Sequence, residues 1–141
     1  MDDRTWTRTD WALMLVRLAV GLVFVMHGGQ KLFAVGLDGV TGMFTQMGVP
    51  MPGVSAVLVS FAEFLGGLAL LLGVATPIAA LLLVGVMAGA ILLVHVPNGF
   101  FNPGGFEFPL TLLVANLALA LAGPGAWSVD GVLRGRRRAA A

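Results

Sequence analysis

Long apolar runs separated by short polar stretches dominate the pattern of this chain. A helix needs about 20 mostly apolar residues to cross a bilayer. The pattern therefore predicts four membrane-spanning helices, over residues 11–33, 54–74, 77–96 and 106–122. Pro77 suits the first turn of a helix, and the short link 73–76 predicts an antiparallel hairpin of the second and third helices. We expect an all-α integral membrane four-helix bundle that forms a single domain over residues 1–141.

The first long loop carries its own apolar pattern. In the stretch GVTGMFTQMG, residues 39–48, Val40, Met43, Phe44 and Met47 recur at helical spacing before Gly48 ends the pattern. This predicts a short amphipathic helix in the first outer loop. The second loop, HVPNGFFNPGGFEF, is dense in turn residues and phenylalanine, and we expect it at the depth of the lipid headgroups.

Basic residues lie mostly at the two ends of the chain. Cytoplasmic loops of membrane proteins carry an excess of Lys and Arg, so both termini are predicted to be cytoplasmic and loops 34–53 and 97–105 to face outward. On the predicted outer side Lys31 is the one basic residue. The run RGRRR is interpreted as a topology anchor and not as a lipid or nucleic-acid site. The arginines outside the predicted helices are Arg4, Arg8, Arg134, Arg136, Arg137 and Arg138.

The composition agrees with a lipid environment and narrows the chemistry. The chain is 58% hydrophobic and 11% charged, too few polar groups to cover a soluble surface. No basic-aromatic pattern points to nucleic acid. The absence of cysteine excludes disulfides, thiolate metal ligands and Fe–S ligation by this chain. In any redox reaction, electrons would have to pass through a bound cofactor or a partner protein.

Two charged residues, Arg17 and Glu63, lie deep within the predicted spans, where charge usually faces the bundle interior. Arg17 shares a helical stripe with Gly21 and Gly28, and Glu63 shares one with Gly67, so both are predicted on packing faces. Counting about 1.5 Å per residue, Glu63 lies about 13 Å below the outer surface and Arg17 about 9 Å above the inner one. We expect a buried Arg17–Glu63 ion pair that fixes helix register; the alternative is a proton-coupled or ligand-binding cavity with Glu63 as the titrating group.

A second group of polar residues gathers at the predicted outer ends of the spans. Two histidines and a carboxylate can bind a metal, but these come from distant helices without local ligand spacing, so no metal site is predicted. Ordinary interfacial histidines and an outward pocket for a quinone headgroup or another small molecule remain the alternatives. The candidate ligand-binding residues, with Glu63 below them, are His27, Gln30, Lys31, His95 and Glu107.

The order of four stretches resembles the DoxX family of small four-span membrane proteins. They are RLAVGLVFVMHGGQKLF, FAEFLGGLALLLGVATPIAA, HVPNGFF with GGFEFPL, and GPGAWSVDGVL, which together cover nearly the whole chain. The family pattern has an arginine in the first span, a Gly-x-x-Lys after it, a glutamate before Gly-Gly, an acidic residue opening the fourth span and a late aspartate. In this chain the matching residues are Arg17, Gly28, Lys31, Glu63, Glu107 and Asp130.

The resemblance implies a membrane anchor or accessory subunit of a redox or oxidative-stress complex, since the family includes a subunit of a thiosulfate:quinone oxidoreductase. It also implies a quinone as the cofactor to test and a soluble or membrane redox partner protein. The Arg-, Ala- and Gly-rich composition fits a bacterial inner (plasma) membrane. A self-contained enzyme is not expected, and an oligomer is compatible with the sequence. The alternatives are a small-molecule or proton-coupled transporter or channel that uses the Arg17–Glu63 interior, and a structural assembly factor.

Overall fold

The computed structural model describes residues 7–139, with side chains up to residue 135. Within that range every regular element is a helix, which confirms the predicted all-α class. The first helix continues into a π-helical turn, Gln30–Val35, and the fourth continues into a π-helical turn, Ile91–His95. In chain order the helices are α1 (Arg8–Gly29), α2 (Gly36–Gln46), α3 (Pro52–Leu72), α4 (Thr76–Ala90), α5 (Glu107–Ala122) and α6 (Val129–Ala139).

Three helical segments are long and apolar enough to cross a membrane: Arg8–Gln46, Pro52–Leu72 and Thr76–Asn98. Helix α5 is apolar but has only 16 residues. Large apolar side chains such as Leu58 and Leu92 cover the outside of the bundle. A helix that is apolar on all sides belongs in a protein core or in lipid, so the fold is that of an integral membrane protein.

Helices α1 and α3 run antiparallel in close contact, because glycines remove the side chains between them. A Cβ at Gly28 would lie 2.4 Å from the backbone nitrogen of Phe64, and one at Gly67 would lie 2.7 Å from that of Val25. Small residues allow this approach of two backbones in membranes. The backbone of α1 at Gly28 therefore contacts α3 directly. This contact sets the register, which is the position along its axis at which α1 faces α3.

The predicted hairpin of α3 and α4 is confirmed. Gly73 ends α3 in the left-handed conformation, with a φ of 69°, and donates its backbone N–H to carbonyls of the last turn. Pro77 lies in the first turn of α4, as predicted. The turn brings the apolar faces of the two helices together at the end of the bundle where α1 begins and α5 ends, here called the terminal end.

The apolar core extends from the terminal end towards the opposite end of the bundle, here called the loop end. It joins α1, α3, α4 and α5, and α4 packs closely on α5. Its buried members are Val20, Phe24, Leu70, Ala79, Ala80, Leu83, Met87, Leu112 and Leu119. Phe24, Met87 and Leu112 also line the cavity at the loop end that is described below.

The structure confirms a helix in the first long loop. Helix α2 packs on α3, and Val40 on its inner face is fully buried. Met43, Phe44 and Met47 on the predicted apolar face line the cavity. Helix α2 therefore folds back over the bundle and closes part of its loop end.

Helix α6 was not predicted. The role of its arginine run as a topology anchor stays a prediction. Ser128 accounts for the helix start, because its hydroxyl donates to the carbonyl oxygen of Gly125 (2.7 Å) and accepts from the backbone N–H of Gly131 (3.0 Å). Such capping satisfies an amide that has no partner within the helix.

Candidate functional site

A cavity of about 920 Å³ lies at the loop end, between α1, α3, α4 and α5, with α2 along one side. Most of its lining is apolar, including Phe61, Leu82 and Phe108. Ligand sites typically combine an apolar lining with a few polar groups that fix orientation. The polar lining residues are His27, Lys31, Ser55, Glu63, His95 and Asn102.

The strongest polar feature of the cavity is an ion pair between Lys31 and Glu63. Lys31 Nζ lies 2.5 Å from Glu63 Oε2, and the two side chains are 20% and 6% exposed. The close approach of α1 and α3 at Gly28 brings these two residues to the same height. Pairing lowers the cost of holding each charge in a low-dielectric surrounding.

The predicted Arg17–Glu63 ion pair is wrong. Contacts between α1 and α3 place Arg17 beside Gly73, where a Cβ would lie 2.6 Å from Arg17 Nη1. Glu63 lies ten residues earlier in α3, about 15 Å away along the helix axis. The estimate of depth from the sequence failed because the register of two helices follows from their glycine contacts and not from where each enters the membrane.

Arg17 instead stabilises the C-terminal end of α3. Its Nη1 donates to the carbonyl oxygens of Leu70 (2.7 Å) and Leu71 (2.9 Å), and its Nη2 donates to the carbonyl oxygen of Trp127. The last carbonyls of a helix have no partner within it, and a cation there also interacts favourably with the helix dipole. With a residue exposure of 2%, Arg17 joins α1, α3 and the segment after α5.

Two carboxylates hold the segment 123–130 against the helix ends near Arg17. Asp130 accepts from the backbone N–H of Thr76 (3.3 Å) at the start of α4, and it attracts Arg17 electrostatically. Asp10 accepts from the backbone N–H of Ala126 (2.9 Å). This cluster of Asp10, Arg17 and Asp130, here called the terminal cluster, connects the helix ends and is separate from the cavity.

The two histidines line the cavity in different ways. The His27 side chain lies beside Phe108, with 6.3 Å between ring centroids. His27 lines the cavity and is also exposed at the surface of the bundle. His95 Nδ1 lies 2.8 Å from the carbonyl oxygen of Gly104, so that ring is fixed by the second long loop. His27 is therefore the histidine whose nitrogens are better placed to serve a ligand.

Two predicted ligand-binding residues do not line the cavity. Gln30 is exposed on the outside of α1, and Glu107 Oε1 accepts from the backbone N–H of Asn102 (2.7 Å), which orders the second loop. Over residues 7–139, no group of three or more His, Asp or Glu side chains is arranged to hold a metal ion. The structure thus brings together His27, Lys31, Glu63 and His95 of the predicted set.

Some site residues were missed in the sequence. Ser55, Asn102 and Phe108 also line the cavity, but no spacing in the sequence marks them. Asp130, which belongs to the terminal cluster, was marked only by the family pattern. Asp130 comes close to Arg17 and Thr76 only because segment 123–130 folds back across the helix ends.

Comparison with known proteins gives a consistent family. The model of the DoxX family matches residues 12–96. The chain is 35% identical to the "Uncharacterized membrane protein Rv3486" of Mycobacterium tuberculosis, over 84% of this chain and 79% of that protein. It is 31% identical to "Putative oxidoreductase CatD" of Bacillus subtilis, over 83% of each chain. It is 34% identical to "Inner membrane protein YqjF" of Escherichia coli, over 88% of this chain and 93% of that protein. No solved structure matches the chain significantly.

Proposed function

This chain belongs to the DoxX family of membrane proteins, and on that premise we propose that it is the membrane-bound accessory subunit of a redox complex, with a quinone-type ligand in its cavity. The observation that carries the proposal is the Lys31–Glu63 ion pair in the wall of a largely apolar cavity within the membrane-embedded bundle. A purely apolar ligand would form no favourable interaction with this ion pair, so the pair favours a ligand that also carries polar groups.

The donors of the cavity suit the carbonyl oxygens of a quinone. A lysine ammonium has three N–H donors, and Glu63 occupies one of them. Lys31 therefore keeps donors for a second acceptor, and His27 offers a further donor or acceptor according to its tautomer. The volume of about 920 Å³ falls in the range of small-molecule sites, roughly 300–1,000 Å³.

Two observations support a redox role together with a partner protein. A relative of this chain in Bacillus subtilis carries the name "Putative oxidoreductase CatD". The chain itself has no cysteine, so its own side chains supply no thiol couple. Electrons would pass between the bound quinone and a soluble or membrane partner, and this chain would hold the quinone within reach of that partner.

The transporter alternative lacks its original basis. It required a charged interior formed by Arg17 and Glu63 together, and these residues belong to different clusters. The other alternative, a structural assembly factor, needs no ligand. The binding experiment below therefore distinguishes it from the proposed function.

For the arrangement in the membrane, we propose four crossings in a bacterial inner membrane, with both termini in the cytoplasm. The arginines near both chain ends support this orientation, and YqjF is named as an inner membrane protein. Because the chain has no native cysteine, single cysteines can be labelled with an impermeant reagent. Thr45→Cys and Phe101→Cys should react in cells with intact inner membranes, and Thr9→Cys and Val132→Cys only after permeabilisation. The reverse pattern contradicts the orientation.

The proposed ligand is tested by thermal unfolding of the purified full-length protein in mild detergent. A ligand that binds only the folded state raises the melting temperature by mass action, and at 100 times its dissociation constant it contributes about 2.7 kcal/mol. We expect a benzoquinone with an alkyl tail to raise the melting temperature of the wild type. The rise should be much smaller in His27→Ala, which removes a lining side chain.

Gln30→Ala is the matched control, because Gln30 lies near His27 on the same helix but outside the cavity lining. It should respond as the wild type does. The proposal fails if no quinone raises the melting temperature of the wild type. It also fails if His27→Ala and Gln30→Ala respond alike.

A further inference from the structure

We propose that the ligand enters the cavity sideways from the lipid, through a crevice between α3 and α4, and that its apolar tail lies along Gly85 and Gly89. This inference rests on the proposed function, and it adds the route and the tail that the ligand must have. The crevice is defined by Leu58, Phe61 and Leu65 on α3 and by Leu82, Gly85 and Gly89 on α4, all of which line the cavity.

The crevice is continuous with the surface that faces lipid. Leu58, Leu65 and Leu82 line the cavity, yet they are 64%, 57% and 51% exposed. A residue that both lines a cavity and is largely exposed marks a place where the cavity opens. Since these three lie on two apolar helices within the bundle, the opening faces the lipid chains.

Glycines mark where α4 touches α3 and where α4 is open. Where Gly66 of α3 faces Leu83 of α4 the helices touch, since a Cβ at Gly66 would lie 3.1 Å from Leu83 Cγ. At Gly85 and Gly89 an added Cβ would meet nothing within 4 Å. These two glycines are one helical turn apart and on one face, so they leave a smooth, open wall along α4.

Polarity along the path indicates the kind of molecule that would use it. The charged groups, Lys31 and Glu63, lie towards α1, whereas the six residues that define the crevice are all apolar or glycine. A polar solute would find no hydrogen-bond partner along this route and would lose its hydration. A ligand with a polar head and an apolar tail matches both parts at once.

The experiment fills the crevice without disturbing the fold. Gly85→Leu and Gly89→Leu add side chains into open space, and leucine favours a helix over glycine, so both variants should fold. Gly42→Leu is the matched control, because an added Cβ at Gly42 also meets nothing within 4 Å and Gly42 does not line the cavity. Two probes are compared by thermal shift: a benzoquinone with a long alkyl tail, and the same benzoquinone without the tail.

In both crevice variants we expect the apparent affinity for the tailed probe to fall about tenfold or more, the change that follows if about two methylene groups lose their burial. The tailless probe should bind these variants and the wild type alike, and Gly42→Leu should bind both probes as the wild type does. If the wild type binds the tailed probe and the crevice variants bind it equally well, the inference is overturned. If neither probe binds the wild type, the proposed function fails instead.

A second measurement tests the crevice whether or not a quinone binds. In vesicles that contain a phospholipid with a photoreactive diazirine in its acyl chain, the wild type should be labelled at crevice residues, and Gly85→Leu should lose that labelling selectively. Equal labelling of both proteins overturns the inference. It is also overturned if Gly85→Leu converts a dimer into a monomer, because the crevice would then hold a second helix and not a tail.

Discussion

Replacement of Gly28 by alanine should push α1 and α3 apart and destabilise the whole bundle. A Cβ at this position would lie 2.4 Å from the backbone nitrogen of Phe64 and 2.8 Å from its Cα, whereas ordinary contacts begin near 3.4 Å. The obstacle is backbone and not the flexible end of a side chain, so rotation of a neighbour cannot relieve the overlap of about 1 Å. The two helices must move.

The expected magnitude follows from two opposing effects. Overpacking costs about 1–3 kcal/mol and occasionally more, and a collision between two backbones belongs at the upper end. Replacing glycine by alanine within a helix by itself contributes about 1 kcal/mol of stability. The net loss for Gly28→Ala is therefore about 2 kcal/mol. The movement also separates Lys31 from Glu63, so the affinity for a cavity ligand should decrease as well.

The adjacent Gly29 provides the control. An added Cβ there has its nearest neighbour, Phe64 Cε2, at 3.7 Å, an ordinary contact, so Gly29→Ala should be neutral or stabilising by up to about 1 kcal/mol. The free energy of unfolding of both variants can be measured in mild detergent by following helix loss with temperature or denaturant. If Gly28→Ala is as stable as Gly29→Ala, the close contact of α1 and α3, and the register that depends on it, are incorrect.

Further predictions concern the two charged clusters. Arg17→Gln should lower the free energy of unfolding by at least about 3 kcal/mol, because hydrogen bonds of charged groups contribute roughly 1.5–3 kcal/mol each and three carbonyls lose their donor. Arg17→Lys should restore only part of this stability, since one ammonium group cannot replace the planar guanidinium group. Glu63→Gln should cost about 3 kcal/mol, the lower end of the range for breaking a buried ion pair, because Lys31 keeps some solvent exposure. The double variant Lys31→Met with Glu63→Leu should lose less than the sum of its single variants, and additive losses would mean that the two residues do not interact. Arg17→Gln combined with Glu63→Gln should instead be additive within about 0.5 kcal/mol, and a strong coupling in that cycle would restore the pair predicted from the sequence.

Local patterns in the sequence are enough to predict the main helices and the membrane environment of this protein. Apolar runs of membrane-spanning length fix where α1, α3 and α4 lie, because no other regular structure satisfies every backbone group within one segment in lipid. The apolar spacing of residues 40–47 predicted α2, and Pro77 marked the start of α4. These features are local, since each depends on residues within a few turns of one another.

Which polar residues contact one another depends on how the helices pack together. The sequence placed both Arg17 and Glu63 on packing faces, and both are buried, but it could not supply the height of α1 relative to α3. That height depends on how Gly28 and Gly67 fit the facing backbone, and it places Arg17 beside Gly73, ten residues after Glu63 in the chain. Lys31, predicted at the end of a span, thereby became the partner of Glu63.

The terminal cluster and the cavity also depend on contacts between segments that are distant in the sequence. Asp130 lies 113 positions after Arg17 in the chain, and a pattern read over one helix contains no information on a segment that returns across the bundle. The crevice between α3 and α4 is likewise a property of two surfaces, since an added Cβ at Gly85 or Gly89 would meet nothing within 4 Å and the sequence of α4 alone does not contain that information. Sequence patterns thus specify which face of each helix is apolar or polar, whereas register and open space arise from how one helix packs on another.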